Sequence, residues 1–349
     1  MKLRNLHIEN YKMFKDFDIS FVDENDEALP IIVLAGVNGS GKTSLLEYVF
    51  REFYYLDSKK RSFIEYEDKR KIFNTKVREK FNINALLFSK ENKKDLTYFQ
   101  SGIDDTKKVA DEFVKSFYFY LKEKDYRPSE VKEHFYNYMQ EIFNDLDLTF
   151  KYSHLDRDDN IWFANDNKEQ FEINDLSTGE KTLLSKVMYL YFLDYKDKVI
   201  LIDEPELSLH PSWQNKVLKI YENFAKKNNC QIIIATHSPH IIGSAKPEYI
   251  RLLKKEDDRI IAIENIDRSY GLEFDKILTD IMGVENLRTP AVAKDIQKLW
   301  DLLEDEEYES QEYIDLYNSL EKLLGGLDKD LVLARLEVAR IKSENAKSK

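Results

Sequence analysis

The stretch Gly36-Val37-Asn38-Gly39-Ser40-Gly41-Lys42-Thr43 constrains the fold more than any other part of the chain. It follows the continuous apolar run Ile31 to Ala35 and precedes Ser44-Leu45-Leu46-Glu47-Tyr48-Val49-Phe50, so it reads as strand, glycine-rich loop and helix in that order. A strand that is apolar at every position has both faces covered, which is the signature of a parallel sheet flanked by helices. Glycines let the loop aim its backbone N–H groups at one point, and the helix start adds its positive dipole end, so the segment is an anion cradle. Asn38, Gly39, Ser40, Gly41, Lys42, Thr43 and Ser44 are the candidate phosphate contacts, Lys42 reaching the β and γ phosphates and the Thr43 hydroxyl serving as a candidate Mg²⁺ ligand.

A second apolar run, Val199 to Ile202, ends in the adjacent carboxylates Asp203 and Glu204. Beside a phosphate loop, Asp203 is the expected Mg²⁺ ligand and Glu204 the residue that polarises an attacking water. Trp213 to Lys227 reads as a helix and Gln231 to Ala235 as another buried strand, followed by Thr236-His237-Ser238-Pro239-His240. Between the two carboxylates and the phosphate loop lies Asp175-Leu176-Ser177-Thr178-Gly179-Glu180-Lys181, which by itself is a helix N-terminus, Ser177 capping and Glu180 three residues on. These repeating units give an α/β fold around a mainly parallel sheet.

The remainder is organised around that core. Leu3, Leu6 and Ile8, then Phe17, Ile19 and Phe21, predict a strand hairpin separated by Glu9-Asn10-Tyr11-Lys12. Residues 57 to 100 are basic, with strand character at Ile83 to Phe88 and Leu96 to Phe99; Val109, Phe113, Phe117 and Leu121 recur at helical spacing, and Pro128-Ser129-Glu130 restarts a helix. Alternation returns from Leu148 to Ile173 around the turn Asp156 to Asn160, and residues 273 to 345 read as amphipathic helices broken at Gly325-Gly326. The expected domains are therefore 1–56 with 148–272 as the α/β head with an N-terminal antiparallel β portion, 57–147 as a basic, helical insertion, and 273–349 as an acidic helical region.

Composition excludes several classes. At 349 residues and 42% hydrophobic content the chain is long enough for one large or two modest globular domains. The single cysteine, Cys230, leaves no disulfide scaffold or thiolate zinc site and points to a reducing compartment. The longest apolar runs are far short of the roughly 18 residues that cross a bilayer, and the start Met1-Lys2-Leu3-Arg4-Asn5 lacks a signal core, so a cytoplasmic location with no membrane partner is expected. Net charge is −12, which disfavours bulk nucleic-acid coating. Its distribution is uneven: residues 59–108 carry 14 Lys and Arg against 8 acids, and residues 301–330 carry 11 acids against 2 lysines. Such blocks are ordinarily solvated faces, the basic one being the candidate DNA face if DNA is bound.

The order of phosphate loop, Leu-Ser-x-Gly-Glu, strand with Asp-Glu, and strand with His resembles ABC-class P-loop ATPases. The branch is that of SMC, RecF and the overcoming-lysogenization-defect family, because Leu3-x-x-Leu6-x-Ile8-x-Asn10-Tyr11-x-x-Phe14, Glu204-Pro205-Glu206-Leu207-Ser208-Leu209-His210-Pro211 and Thr236-His237-Ser238-Pro239 look like its versions of those segments. The resemblance implies ATP and Mg²⁺ as cofactors and an ATP-sandwiched homodimer or higher homo-oligomer. It implies that Ser177 and Gly179, with Glu180 beside them, act in trans on the γ-phosphate, that His237 contacts the γ-phosphate, and that Gln100 senses Mg²⁺ and water. Tyr11 and Lys12 stand where that branch meets base or phosphates. Only about 130 residues separate Thr43 from Leu176, too few for long coiled-coil arms, and neither a zinc hook nor the clustered acids of a Toprim nuclease are present.

The segment Ser269-Tyr270-Gly271-Leu272 with Asp275, Ile277, Leu278, Met282, Gly283 and Arg288 is similar to the tails of stand-alone ATPases of Septu-type and retron anti-phage systems, which implies a separate HNH-type nuclease subunit and possible DNA engagement. Alternatives are a RecF-like repair ATPase acting without a nuclease and a nucleotide-gated scaffold with little turnover. A transporter cassette fits the Pro205-to-Pro211 segment poorly.

Overall fold

The computed structural model describes residues 2–52, 63–66, 71–73, 96–100, 113–115, 117–119, 121–122, 126–143, 150–177, 179–181, 183–184, 187, 190, 197–207, 209–264 and 266–347. They form two compact units, Met1–Met282 and Gly283–Lys349.

In the first unit, β1 (Leu3–Tyr11) and β2 (Phe14–Ser20) make an antiparallel hairpin, and β3 (Ile31–Ala35) leads through the glycine loop into α1 (Lys42–Glu52). The short strands β4 (Phe63–Tyr66) and β5 (Lys71–Phe73) extend the hairpin sheet in the order β2-β1-β4-β5. After β6 (Leu96–Gln100) and α2 (Pro128–Phe143), the strands β7 (Phe150–Leu155), β8 (Ile161–Asn165) and β9 (Gln170–Glu172) form a three-stranded antiparallel meander. Then follow β10 (Val199–Asp203), α3 (Pro211–Lys227), β11 (Gln231–Ala235), the single-turn α4 (Pro239–Ser244), β12 (Ile250–Glu256) and β13 (Arg259–Ile263). The central sheet has the order β13-β12-β3-β11-β10-β6, parallel throughout except for the antiparallel edge strand β13.

Every residue of β3, β10 and β11 is buried, as the unbroken apolar runs required. Helix α3 presents Val217, Leu218, Ile220, Tyr221, Phe224 and Ala225 to the core, starts at Pro211 with His210 as its cap, and carries Lys226 and Lys227 at its negative end. The aromatic spacing before α2 also has a packing reason: Phe113 meets Phe135 of α2 at 4.8 Å between ring centroids and Tyr152 of β7 at 5.4 Å.

The hairpin differs from its sequence reading. Glu9 to Tyr11 is strand, Asn10 pairs with Lys15, and the turn is only Lys12-Met13, with Lys12 at φ 52°. Tyr11 is drawn into the strand by its ring contact with Tyr48 of α1, centroids 4.9 Å apart. The hairpin sheet is tied to the central sheet by the fully buried Gln231, whose amide accepts from Leu3 N–H at 2.8 Å and donates to Leu3 O and Leu29 O at 3.0 Å each. One side chain thus satisfies three backbone groups where two sheets meet. The strand expectation for Ile83 to Phe88 and most of the basic 59–108 segment lie outside the described residues.

The second unit holds α5 (Pro290–Glu304), α6 (Gln311–Leu324) and α7 (Lys329–Lys347) around Leu299, Leu303, Tyr313, Leu320, Leu331 and Ala334. Its acidic block is a solvated face, except that Asp328 and Asp330 both receive Arg288 at 2.7 Å and so clamp the α6–α7 turn to the segment before α5. Helix α6 ends where expected, at Gly325 with φ 86°. No described helix is long and apolar enough to cross a membrane.

Candidate active site

Register decides what can meet. Across the central sheet Gln100 pairs with Asp203, Asp203 with Ala235, and Ala235 with Leu34. The carboxyl ends of four parallel strands therefore form one row, with neighbours about 4.8 Å apart. The residues that leave this row are Glu204, Thr236-His237 and the glycine loop, and such strand-end crevices are where open α/β sheets bind ligands.

The loop is shaped by its glycines. Gly36, Gly39 and Gly41 all have positive φ, and a Cβ on Gly36 would stand 2.5 Å from the Leu253 carbonyl oxygen. A Cβ on Gly41 would stand 2.8 Å from the Phe14 ring, whereas nothing lies within 4 Å of one on Gly39. Lys42 is curled under the loop, its Nζ donating to Gly36 O at 2.7 Å and Val37 O at 3.0 Å. Burial pulls the Lys42 ammonium down from its ordinary pKa, and the charges of Glu204, Glu206 and Asp203 oppose that pull. A cation held near three carboxylates and two carbonyls has the donors a triphosphate needs. The buried Ser40 hydroxyl, which has no partner, adds another.

Thr43 Oγ1 lies 3.2 Å from the buried Asp203 carboxylate. Two hard oxygens at the mouth of an anion cradle fit Mg²⁺, which takes one or two protein oxygens and completes its shell with phosphate oxygens and water. Among the described residues no group of three or more His, Cys, Asp and Glu is placed to hold a metal unaided.

Glu204 sits in the left-handed region, φ 49°, with its N–H on Ala235 O at 2.8 Å. A non-glycine residue held there stores strain, and such residues concentrate at functional sites. Its half-exposed carboxylate approaches Nδ1 of His237 at 3.3 Å. Sequence reasoning gave no role to Glu206, yet this buried carboxylate accepts the Thr236 hydroxyl at 2.7 Å and the His237 N–H at 2.9 Å. The available signal was a second acid two residues past the first, in Glu204-Pro205-Glu206.

The other candidates are placed as follows. Gln100 ends β6 beside Asp203 in the backbone register. Ser177 and Glu180 form the expected cap: the Glu180 carboxylate accepts the Ser177 N–H at 2.9 Å and the Ser177 hydroxyl at 2.7 Å, with Gly179 between them at the helix start and Thr178 outside the described residues. Lys12 reaches from the hairpin turn to Glu47 at 2.6 Å and Ser44 Oγ at 3.2 Å, so the Ser44 side chain is engaged from outside the loop.

Residues 49–243, more than half of the chain, match the family model described as AAA domain, putative AbiEii toxin, Type IV TA system, and residues 1–94 match the model described as AAA ATPase domain. The Septu protein PtuA of Bacillus thuringiensis is 28% identical over 219 residues, covering 57% of this chain and 54% of that protein. The retron Vc95 probable ATPase of Vibrio cholerae serotype O1 biovar El Tor is 31% identical over 116 residues, covering 30% of this chain and 22% of that protein. The chain thus spans about half or less of the length of these curated relatives. The crystal structure of an SMC head bound to the C-winged helix domain of ScpA aligns over 75% of this chain and 97% of that one at 15% identity, with a TM-score of 0.49.

The glycine geometry carries a prediction. Gly41→Ala combines a left-handed φ with a clash against Phe14 and should cost roughly 2–4 kcal/mol of stability, whereas Gly39→Ala has only the backbone term of about 1–2 kcal/mol. Urea denaturation of both variants measures the gap; equal losses would show that Phe14 gives way freely.

Proposed function

The chain belongs to that AAA-domain family of P-loop ATPases, and on that premise we propose that it hydrolyses ATP with Mg²⁺ in a dimer closed around the nucleotide, the cycle switching a nuclease partner in anti-phage defence. The observation that carries the reading is the convergence of Lys42, Thr43, Asp203, Glu204 and His237 from three strand ends on one cradle. Lys42 and the loop N–H groups from Asn38 to Ser44 hold the phosphates. Thr43 and Asp203 hold Mg²⁺, which supplies charge neutralisation when bound. Glu204 orients the attacking water, His237 contacts the γ-phosphate, and Gln100 senses metal and water from the neighbouring strand end.

Ser177, Gly179 and Glu180 complete the site in trans. Support comes from their local structure: the Ser177–Glu180 cap leaves Gly179 at a helix start, and helix starts receive anions. The nuclease partner, of HNH type, is supported by the likeness to Septu and retron proteins and by the Ser269-to-Arg288 segment.

A mixing experiment separates trans action from cis action. Lys42→Ala and Gly179→Asp should each be inactive alone, and random pairing in an equal mixture should restore about one quarter of the wild-type sites. Activity that stays at the sum of the two variants would refute the shared site. Co-expression with an HNH nuclease encoded beside the chain should give a complex that survives purification; a nuclease that elutes alone would remove the partner from the reading.

A further inference from the structure

His237 is half-buried and stands between two buried neighbours, Thr236 and Ser238. Glu206 secures the Thr236 side, through the Thr236 hydroxyl and the His237 N–H. The Ser238 side is secured from α3. The Ser238 hydroxyl donates to Gln214 Oε1 at 2.6 Å, and Gln214 Nε2 donates to Leu209 O at 2.9 Å. No step given above uses Gln214.

The order of donors and acceptors in this chain is forced. Leu209 O accepts and cannot donate, so the amide corner facing it is the nitrogen. The Ser238 oxygen already accepts the His240 and Ile241 N–H groups, at 3.2 and 3.3 Å, as the cap of α4. Its hydrogen therefore goes to the amide oxygen. A side chain at 214 needs a donor at one corner and an acceptor at the other, which glutamine supplies and glutamate does not.

The clasp ties three pieces together. Leu209 lies on the stretch that leaves β10 with Glu204 and Glu206, Ser238 follows His237 out of β11, and Gln214 lies near the start of α3. Because α3 has its apolar face buried in the core, the clasp refers the backbone beside His237 to the core. A hydrogen bond to a phosphate oxygen is lost over a displacement of about 1 Å, so whatever fixes this backbone fixes the contact.

We propose that Gln214 is a positioning residue of the nucleotide site, holding Ser238, and through it His237, where the ring meets the γ-phosphate. The assignment rests on the role given above to His237.

The test compares ADP with AMP-PNP, a non-hydrolysable ATP analogue, by calorimetric titration of the full chain with Mg²⁺. A merely structural Gln214 would loosen the site for both nucleotides or for neither. Positioning of His237 makes a narrower demand, because ADP has no γ-phosphate for the ring to meet. Gln214→Ala should weaken AMP-PNP binding by about fivefold or more and ADP binding by less than about twofold. Gln214→Glu keeps the acceptor for Ser238 but meets Leu209 O without a donor, and should act in the same direction. Melting temperatures show that the variants compared are folded.

His237→Ala should itself weaken AMP-PNP by roughly 10- to 100-fold, the loss of a hydrogen bond to a charged group. In that background Gln214→Ala should change AMP-PNP binding by less than about twofold. Equal factors on the two nucleotides, equal factors with and without His237, or no loss at all would overturn the proposal and leave Gln214 as an anchor of α3. An AMP-PNP affinity that ignores Lys42→Ala would instead refute the reading of the site itself. An affinity that responds to Lys42→Ala but ignores His237→Ala would remove the role of His237, and the proposal with it.

Discussion

Five parallel pairings between β10 and β11, from Val199 with Gln231 to Asp203 with Ala235, decide where the chemistry of this chain can stand. A slip of one residue would turn every side chain to the opposite face and move the strand ends out of line. With the register as it is, Asp203 ends beside Ala235, and Ala235 beside Leu34 one residue short of the loop that holds Lys42 and Thr43. The Asp203–Thr43 contact at 3.2 Å bridges elements 160 residues apart in sequence, and it exists because β10 and β11 stop level with each other and within one residue of the end of β3.

What that row holds is an assembly of costs. Glu204 is bent into left-handed backbone, a Cβ on Gly36 or Gly41 would crowd its neighbours, Lys42 is buried against its preference for water, and Ser40, Glu206 and His237 each bury a polar atom without a partner. The continuous apolar core beneath, built from β3, β10, β11 and α3, over-determines the backbone enough to hold these groups in place. Strain and unmet polar groups that meet at strand ends beside a glycine-rich anion cradle are the physical mark of a site shaped for a ligand.

Much of this was legible in the sequence because both-face burial writes itself as an unbroken apolar run. Ile31 to Ala35, Val199 to Ile202 and Gln231 to Ala235 are strands at those positions, the middle one extended by Asp203. The glycine loop and the Ser177–Glu180 cap are local devices whose geometry depends on neighbours in the chain, so their residues could be read directly. The hairpin was read too short because Tyr11 joins the strand through Tyr48, a contact between separate elements. Glu206 escaped for the same reason. Its meaning lies in Thr236 and His237, 30 and 31 residues away just past the end of another strand, and an acid in a Pro-containing loop looks solvated until its partners are known.

If the cradle is half of a composite site that closes around ATP, as proposed, the mass of the particle in solution must respond to nucleotide. Glu204→Gln removes the residue assigned to water while leaving Lys42, Thr43 and Asp203 to hold Mg²⁺ and phosphates, so bound ATP should persist. Light scattering of this variant should give the mass of the 41.5 kDa chain without nucleotide and twice that mass with Mg²⁺-ATP. A mass that does not respond to ATP, at nucleotide concentrations shown to saturate binding, would mean that the cradle works within a single chain or a constant assembly.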